Sequence, residues 1–252
     1  MHPAYVADFG DYPKFGILRC VGRGLRVGVV WWICAGAVGG NDGQRREYLT
    51  QPDQWQRYDP ILFAALQRIN EAHHRDIHAL EDPVILPGAI FFSEPVPCDG
   101  ATPISQRITA RVDWLMRAAV RVRDCDVVFL DPDNGFAAPG FNPESPSAGK
   151  SIMIDELMPF LDLHDTPART VIVYHHQTRR RGGHLAELRH LSTELQKKSI
   201  RVTGVLRARP WSPRAFFILN GDRKIAARAR HVARVWTPHL TWHTNQSLEQ
   251  TR

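Results

Sequence analysis

The segment Phe129-Leu130-Asp131-Pro132-Asp133-Asn134-Gly135 brings together two carboxylates and an amide at the exit of an apolar run. A carboxylate there accepts hydrogen bonds from an amino group or ligates a metal, while proline and glycine fix the backbone so that carbonyls point outward. A capped tight turn is the plainer reading of the same residues. Tyr174-His175-His176-Gln177 follows a second apolar run. Adjacent residues on an extended chain point to opposite sides, so at most one of His175 and His176 faces a given site, as general base, phosphate contact or metal ligand.

Three further segments carry chemistry-bearing residues. Arg179, Arg180 and Arg181 precede an expected helix, where guanidinium groups suit an anion, although a solvated basic loop explains them equally. The small residues of Cys34-Ala35-Gly36-Ala37-Val38-Gly39-Gly40 would let a nucleotide-like ligand approach the backbone, but they form neither a GxGxxG nor a Walker loop. Asp8 to Arg19 interleaves aromatics with Asp8, Asp11 and Lys14, which fits a lid facing a ligand or a stretch packed on the core.

These segments need a scaffold, and short β-branched runs supply it. Arg26–Ile33, Asp126–Leu130 and Thr170–Tyr174 lack polar alternation, as strands buried on both faces do; Arg201–Leu206 and Ala215–Leu219 follow. Helical spacing lies between them. Asp59-Pro60 opens a helix with Leu62, Phe63, Leu66 and Ile69 inward. Ile104, Ile108, Val112, Leu115 and Ala119 mark the core face of another, Leu185, Leu188, Leu191 and Leu195 of a third, and Ile225, Ala229, Val232 and Trp236 of a last. The region 71–103 is broken by proline and glycine. The alternation predicts one α/β domain over residues 1–252, a doubly wound, mostly parallel, Rossmann-like sheet with a C-terminal antiparallel strand. Strand C-termini then share one edge, where such folds bind ligands. Residues 1–25 are expected as a lid-like segment, 137–149 as a mobile loop and 243–252 as a fraying tail.

Of 252 residues, 43% are hydrophobic and 23% charged, which excludes a disordered or collagenous chain. The formal net charge of +6, rich in arginine, favours polyanionic partners, nucleic acid first. Four scattered cysteines form no disulfide framework or zinc knuckle. No charged-then-apolar leader opens the chain and the Val27–Gly40 run is too short to span a bilayer, so a cytoplasmic location without a membrane partner is expected.

Taken in order, the segments resemble class I S-adenosylmethionine-dependent methyltransferases of the adenine-N6 type, particularly those acting on ribosomal RNA. Ala35-Gly36-Ala37 matches that family's cofactor loop, Lys14 its opening segment, and Asp131-Pro132-Asp133-Asn134 stands where the family has Asp-Pro-Pro-Tyr. The chain is also similar to a bacterial family with a Gly-Asp-x-x-Lys start, an Asp-Pro-Asp-Asn-Gly core and a Tyr-His-His-Gln stretch. The resemblance implies a class I methyltransferase fold with a paired final strand unit and S-adenosylmethionine as cofactor, without a metal. It implies that Asp131 and the carbonyl after it accept bonds from the amino group of a flipped-out base, with positioning supplying most of the catalysis. Asp133 replaces the second proline and Asn134 the stacking aromatic, for which Phe136 is the substitute; Glu81 is the candidate ribose carboxylate. His175, His176 and the arginines would meet the substrate.

Two alternatives stand beside it. Asp131 and Asp133 with His175 or His176, and Lys150 nearby, could hold Mg²⁺ or Mn²⁺ in a nuclease or phosphoesterase. A binding protein that kept the scaffold and lost the chemistry would also explain the missing aromatic.

Overall fold

A computed structural model of the chain describes residues 3–34, 45–73, 76–98, 102–161, 169–178 and 180–250. The apolar runs become strands: β1 (Val27–Trp31), β2 (Ile90–Phe92) and β3 (Val127–Asp131), then β6 (Thr170–His176), β7 (Val202–Ala208), β8 (Arg214–Leu219) and β9 (Leu240–His243). Among the described residues these form a seven-stranded sheet in the order β2-β1-β3-β6-β8-β7-β9. β2, β1, β3 and β6 run parallel, and β8 lies antiparallel between β6 and β7. β7 therefore points with the parallel set, and β9, antiparallel to β7, closes the edge. The architecture is mixed α/β with a mostly parallel, Rossmann-like central sheet. A two-stranded ladder, β4 (Gly135–Phe136) with β5 (Ser151–Ile152), sits beyond the end of β3.

Helices cover both faces because alternate strand residues point to opposite sides. Val27, Val29, Trp31, Val127, Phe129 and Ile172 join one core with α1 (Asp11–Val21), α3 (Pro60–Glu71) and α7 (Arg223–Val235), beside the short α2 (Pro52–Trp55). Val30, Val128, Leu130, Val171 and Val173 join the other with α4 (Ile104–Arg121), α5 (Met158–Leu161), α6 (Gly183–Lys197) and α8 (Asn245–Gln250). The expected Asp59 cap forms, its carboxylate accepting from Leu62 N at 3.1 Å, and Asp222 caps α7 in the same way, accepting from Ile225 N at 2.8 Å.

Four expectations are corrected. The amino-terminal segment is not a lid: α1 lies in the core, buried from Asp11 to Leu18 and packed on α7. α4 does not turn Ile104, Ile108 and Val112 inward; its buried face carries Arg107, Arg111, Trp114, Leu115, Ala118 and Ala119. Arg111 can be buried because Glu156 pairs with it through both oxygens and its remaining donors reach Ala148 O and Ser151 O. Those bonds, with Arg107 on Glu144 O, tie down the 137–149 loop. The tail is helical rather than frayed: Leu248 is buried and its carbonyl accepts from Arg189.

Candidate functional site

The chain leaves β1 for β2 on one flank and returns to β3 on the other, so the sheet's topological switch point lies between the C-terminal ends of β1 and β3. Trp31 and Asp131 are register partners at that point. Strand parity turns Asp131 toward the face covered by α1, with Val127 and Phe129. There Lys14, one turn after Asp11, meets it: Lys14 Nζ stands 2.9 Å from Asp131 Oδ2 and 3.1 Å from Asp11 Oδ1. The rings of Trp31 and Tyr174 flank the ammonium at 5.3 and 5.7 Å. Burial works against the Lys14 charge, but Asp131 and Asp11 outweigh it and hold its pKa above the ordinary lysine value. Asp11 is pushed up to about 6, first by burial and then by Asp131, against the downward pull of Lys14.

This triad opens on a cleft of about 430 Å³, within the range of small-ligand sites. Lys14, Arg45, Lys150 and Arg214 bring cations to it; Asp8, Asp11, Asp131 and Asp133 bring carboxylates. Asp8 is held by Gly10 N at 2.9 Å and Arg45 N at 3.1 Å, with Arg214 Nη2 at 3.7 Å. Among the described residues Lys14 is the partner of the Asp131 carboxylate, through Oδ2. Oδ1 has no partner among the described residues.

The turn after Asp131 is fixed by its own backbone. Gly135 N donates to Pro132 O at 3.1 Å, Asn134 N to Lys150 O at 2.8 Å, and His176 N to Asn134 O at 3.3 Å. Pro132 O keeps a second lone pair. Behind the turn, Phe136 N donates to His175 Nδ1 at 3.1 Å, which leaves the ring proton on Nε2, 3.3 Å from Glu187 Oε1. Burial opposes the Glu187 charge, yet bonds from His175 and Thr178 lower its pKa to about 2.

The structure brings some expected residues together and separates others. Asp131, Asp133, Asn134, Lys14 and His176 line the cleft, beside Pro132. His175 does not: parity turns it toward α6, where it buttresses the turn. Phe136 is buried against Phe217 with centroids 5.2 Å apart, so it is a core ring rather than a stacking platform. Glu81 precedes β2 and its carboxylate is taken by Trp31 Nε1, His78 and Ser93. The acid that does follow β2, Glu94, pairs with Arg117. Arg180 and Arg181 are exposed and lie outside the lining of this cleft. Ala35, Gly36, Ala37 and Arg179 lie outside the described residues.

Sequence reasoning missed Tyr174, Arg45 and Arg214 as lining groups. Trp211 is 39% exposed, packs on Phe9 with centroids 4.1 Å apart, and adjoins Ser212 of the lining. Among the described residues, no group of three or more histidine, cysteine, aspartate or glutamate side chains is placed to hold a metal ion, and no helix is long and apolar enough to cross a membrane. Comparison with known protein families, with curated proteins and with solved structures finds no match for this chain.

Proposed function

We propose that the cleft is the site of an S-adenosylmethionine-dependent methyltransferase acting on an amino group of nucleic acid. The observation that carries this reading is Asp131, held at the switch point by a buried lysine and facing a polar cleft of ligand size. Lys14 holds the Asp131 carboxylate in one place, and Asp131 Oδ1 and Pro132 O are the acceptors for two amino hydrogens. Positioning of that kind needs no strong base. Phe136 is not available to stack on a base; the aromatic residues that line the cleft are Tyr5 and Tyr174. The antiparallel β7–β8 unit agrees with the paired final strands of the resembling family. When bound, S-adenosylmethionine supplies the methyl group; Glu81 does not fit the ribose role assigned to it, because its oxygens are already engaged.

A polyanionic partner is supported by α7. Its thirteen residues include five Arg or Lys and no Asp or Glu. Arg223, Arg230 and Arg234 fall on one line of the helix and are exposed. The metal-dependent alternative is disfavoured by geometry: an ammonium occupies one Asp131 oxygen, and His175 points away from the aspartates.

Calorimetric titration with S-adenosylmethionine and its demethylated product, with and without Mg²⁺, is the test. Micromolar binding indifferent to metal is expected. Absence of cofactor binding, or heat that appears only with Mg²⁺ or Mn²⁺, would remove the methyltransferase reading.

A further inference from the structure

Two of the cysteines scattered along the sequence meet in space. Cys34, just past β1, and Cys98, beyond β2, bring their sulfurs to 3.2 Å although 64 positions separate them. Both side chains are buried. The approach is built by the backbone. Ile33 bridges Pro95 in parallel register, and Val96 N donates to Ile33 O at 2.8 Å. A tight turn follows, in which Cys98 N donates to Val96 O at 2.8 Å.

A third segment closes over the pair. A Cβ on Gly149 would fall inside contact distance of both sulfurs, so only glycine lets the chain pass there. Its neighbours fix the segment in place: Ala148 O accepts from the buried Arg111, and Lys150 O accepts from Asn134 N. The other two cysteines have no such company. Cys20 is partly exposed and its sulfur reaches Arg228 O at 3.6 Å, while Cys125 is buried; among the described residues neither meets a second sulfur.

We infer that Cys34 and Cys98 are a covalent modification site, at which a small peroxide closes a disulfide between the exit of β1 and the segment after β2. A disulfide holds its sulfurs at about 2.05 Å, so closure moves them together by about 1.2 Å. One sulfur attacks a peroxide oxygen as its thiolate; the O–O bond breaks and a sulfenic acid forms. The second sulfur then attacks the first, the S–O bond breaks and water leaves. Two thiols give up two electrons and two protons, and hydrogen peroxide takes them to become two molecules of water. The site selects a small oxidant, because a bulky disulfide reagent cannot reach sulfurs buried under Gly149.

The hydrogen bond to Cys98 and burial both push the Cys34 thiol up, while Lys150 pulls it down. The pair therefore rests as thiols at neutral pH and answers sustained rather than brief exposure to peroxide. Once formed, the bond is shielded from thiol reductants by the same burial. It closes a long loop and so removes entropy from the unfolded chain. The inference does not depend on cofactor or nucleic acid.

The full chain, held for hours in millimolar hydrogen peroxide under native conditions, is digested without reduction and its peptides are weighed. A Cys34–Cys98 linked peptide is expected, with the urea midpoint raised by roughly 1 M and returned by dithiothreitol added after unfolding. Cys20→Ser should leave both results unchanged, and Cys34→Ser should remove both. If Cys34→Ser does not fold, the wild-type peptide map decides alone. Thiols at Cys34 and Cys98 that survive while Cys20 is oxidised overturn the inference. So do a link that involves Cys20 or Cys125 instead, or a linked chain with an unchanged urea midpoint.

Discussion

Lys14→Met deletes one ammonium while keeping a side chain of similar length, and so isolates the charge at the heart of the cleft. In the native chain Lys14 serves two carboxylates, Asp11 at 3.1 Å and Asp131 at 2.9 Å, and none of the three side chains is more than 6% exposed. Without Lys14 those carboxylates face one another in the interior. Breaking a buried pair by removing one partner costs about 3–5 kcal/mol. The variant can instead protonate a carboxyl, whose ordinary pKa is 3.8; that costs about 1.6 kcal/mol at pH 5 and about 5.7 kcal/mol at pH 8. Asp11 already holds its proton at pH 5 in the native chain, since its pKa is about 6. Only Asp131 then needs neutralising. The expected loss is therefore about 3–5 kcal/mol at pH 8 and about 2 kcal/mol at pH 5.

The sign follows from proton uptake. In the variant both folded-state pKa values lie above the unfolded value, so the folded chain binds more protons and stability falls as pH rises above about 4. Urea unfolding at the two pH values measures it. Asp131→Asn in the Lys14→Met background should recover much of the loss at pH 8, because it removes the charge left behind. A loss under about 1 kcal/mol at pH 8, or equal losses at both pH values, would refute the claim that Lys14 acts as a buried counter-charge.

The native chain carries a weaker form of the same dependence. With Asp11 raised to about 6 from 3.8, its contribution to stability is full below pH 4 and shrinks by about 1 kcal/mol between pH 5 and 7; urea midpoints should show this decline and lose it in Asp11→Ala. Glu187, lowered to about 2 from 4.5, acts in the opposite sense: its contribution is present above about pH 4.5 and lost as pH falls toward 2, below that window. Gly135→Ala should destabilise by about 2–4 kcal/mol, because Gly135 has φ of +86° and a Cβ there would lie 2.4 Å from His175 Nδ1 and 2.5 Å from its Cα. An unchanged thermal midpoint would show that the turn yields. Replacing Arg223, Arg230 and Arg234 with alanine should lower the salt slope of duplex binding by about 2.7, and an equal slope would return the α7 row to ordinary surface charge.

Five of the sheet's seven strands were legible because they are short, mainly apolar runs that end in turn formers; β2, in the proline- and glycine-broken 71–103 region, and β9, whose four residues mix apolar and polar, were not. DVVFL followed by Asp-Pro-Asp-Asn-Gly placed Asp131 correctly at a strand exit. The α4 face was misread for a definite reason. Of the expected row Leu115 and Ala119 are buried, whereas Ile104, Ile108 and Val112, nearer the N-terminus, are exposed while Arg107 and Arg111 are buried; hydrophobicity decides what turns inward only where no polar side chain has a partner inside. Arg111 has one in Glu156, 45 residues away, and a distant ion pair leaves no mark on local spacing.

The site was half legible for the same kind of reason. Lys14 and Asp131 are 117 residues apart, so no motif joins them. Yet the lysine carried a signal of its own. It stands among Phe9, Tyr12, Phe15, Ile17 and Leu18 in a run with few polar neighbours, and those side chains are fully buried or nearly so. A lysine that enters such a segment must find a carboxylate, since a buried unpaired ammonium is far too costly. Asp11, one turn earlier, supplies one but leaves the ammonium with capacity for more. The remaining partner has to be an acid at the buried end of a strand beneath the helix. Among the acids adjoining the apolar runs, Asp131 is the one preceded by four buried strand residues. Counting charges against burial, rather than matching motifs, would have linked α1 to the strand-end aspartate before any coordinates were known.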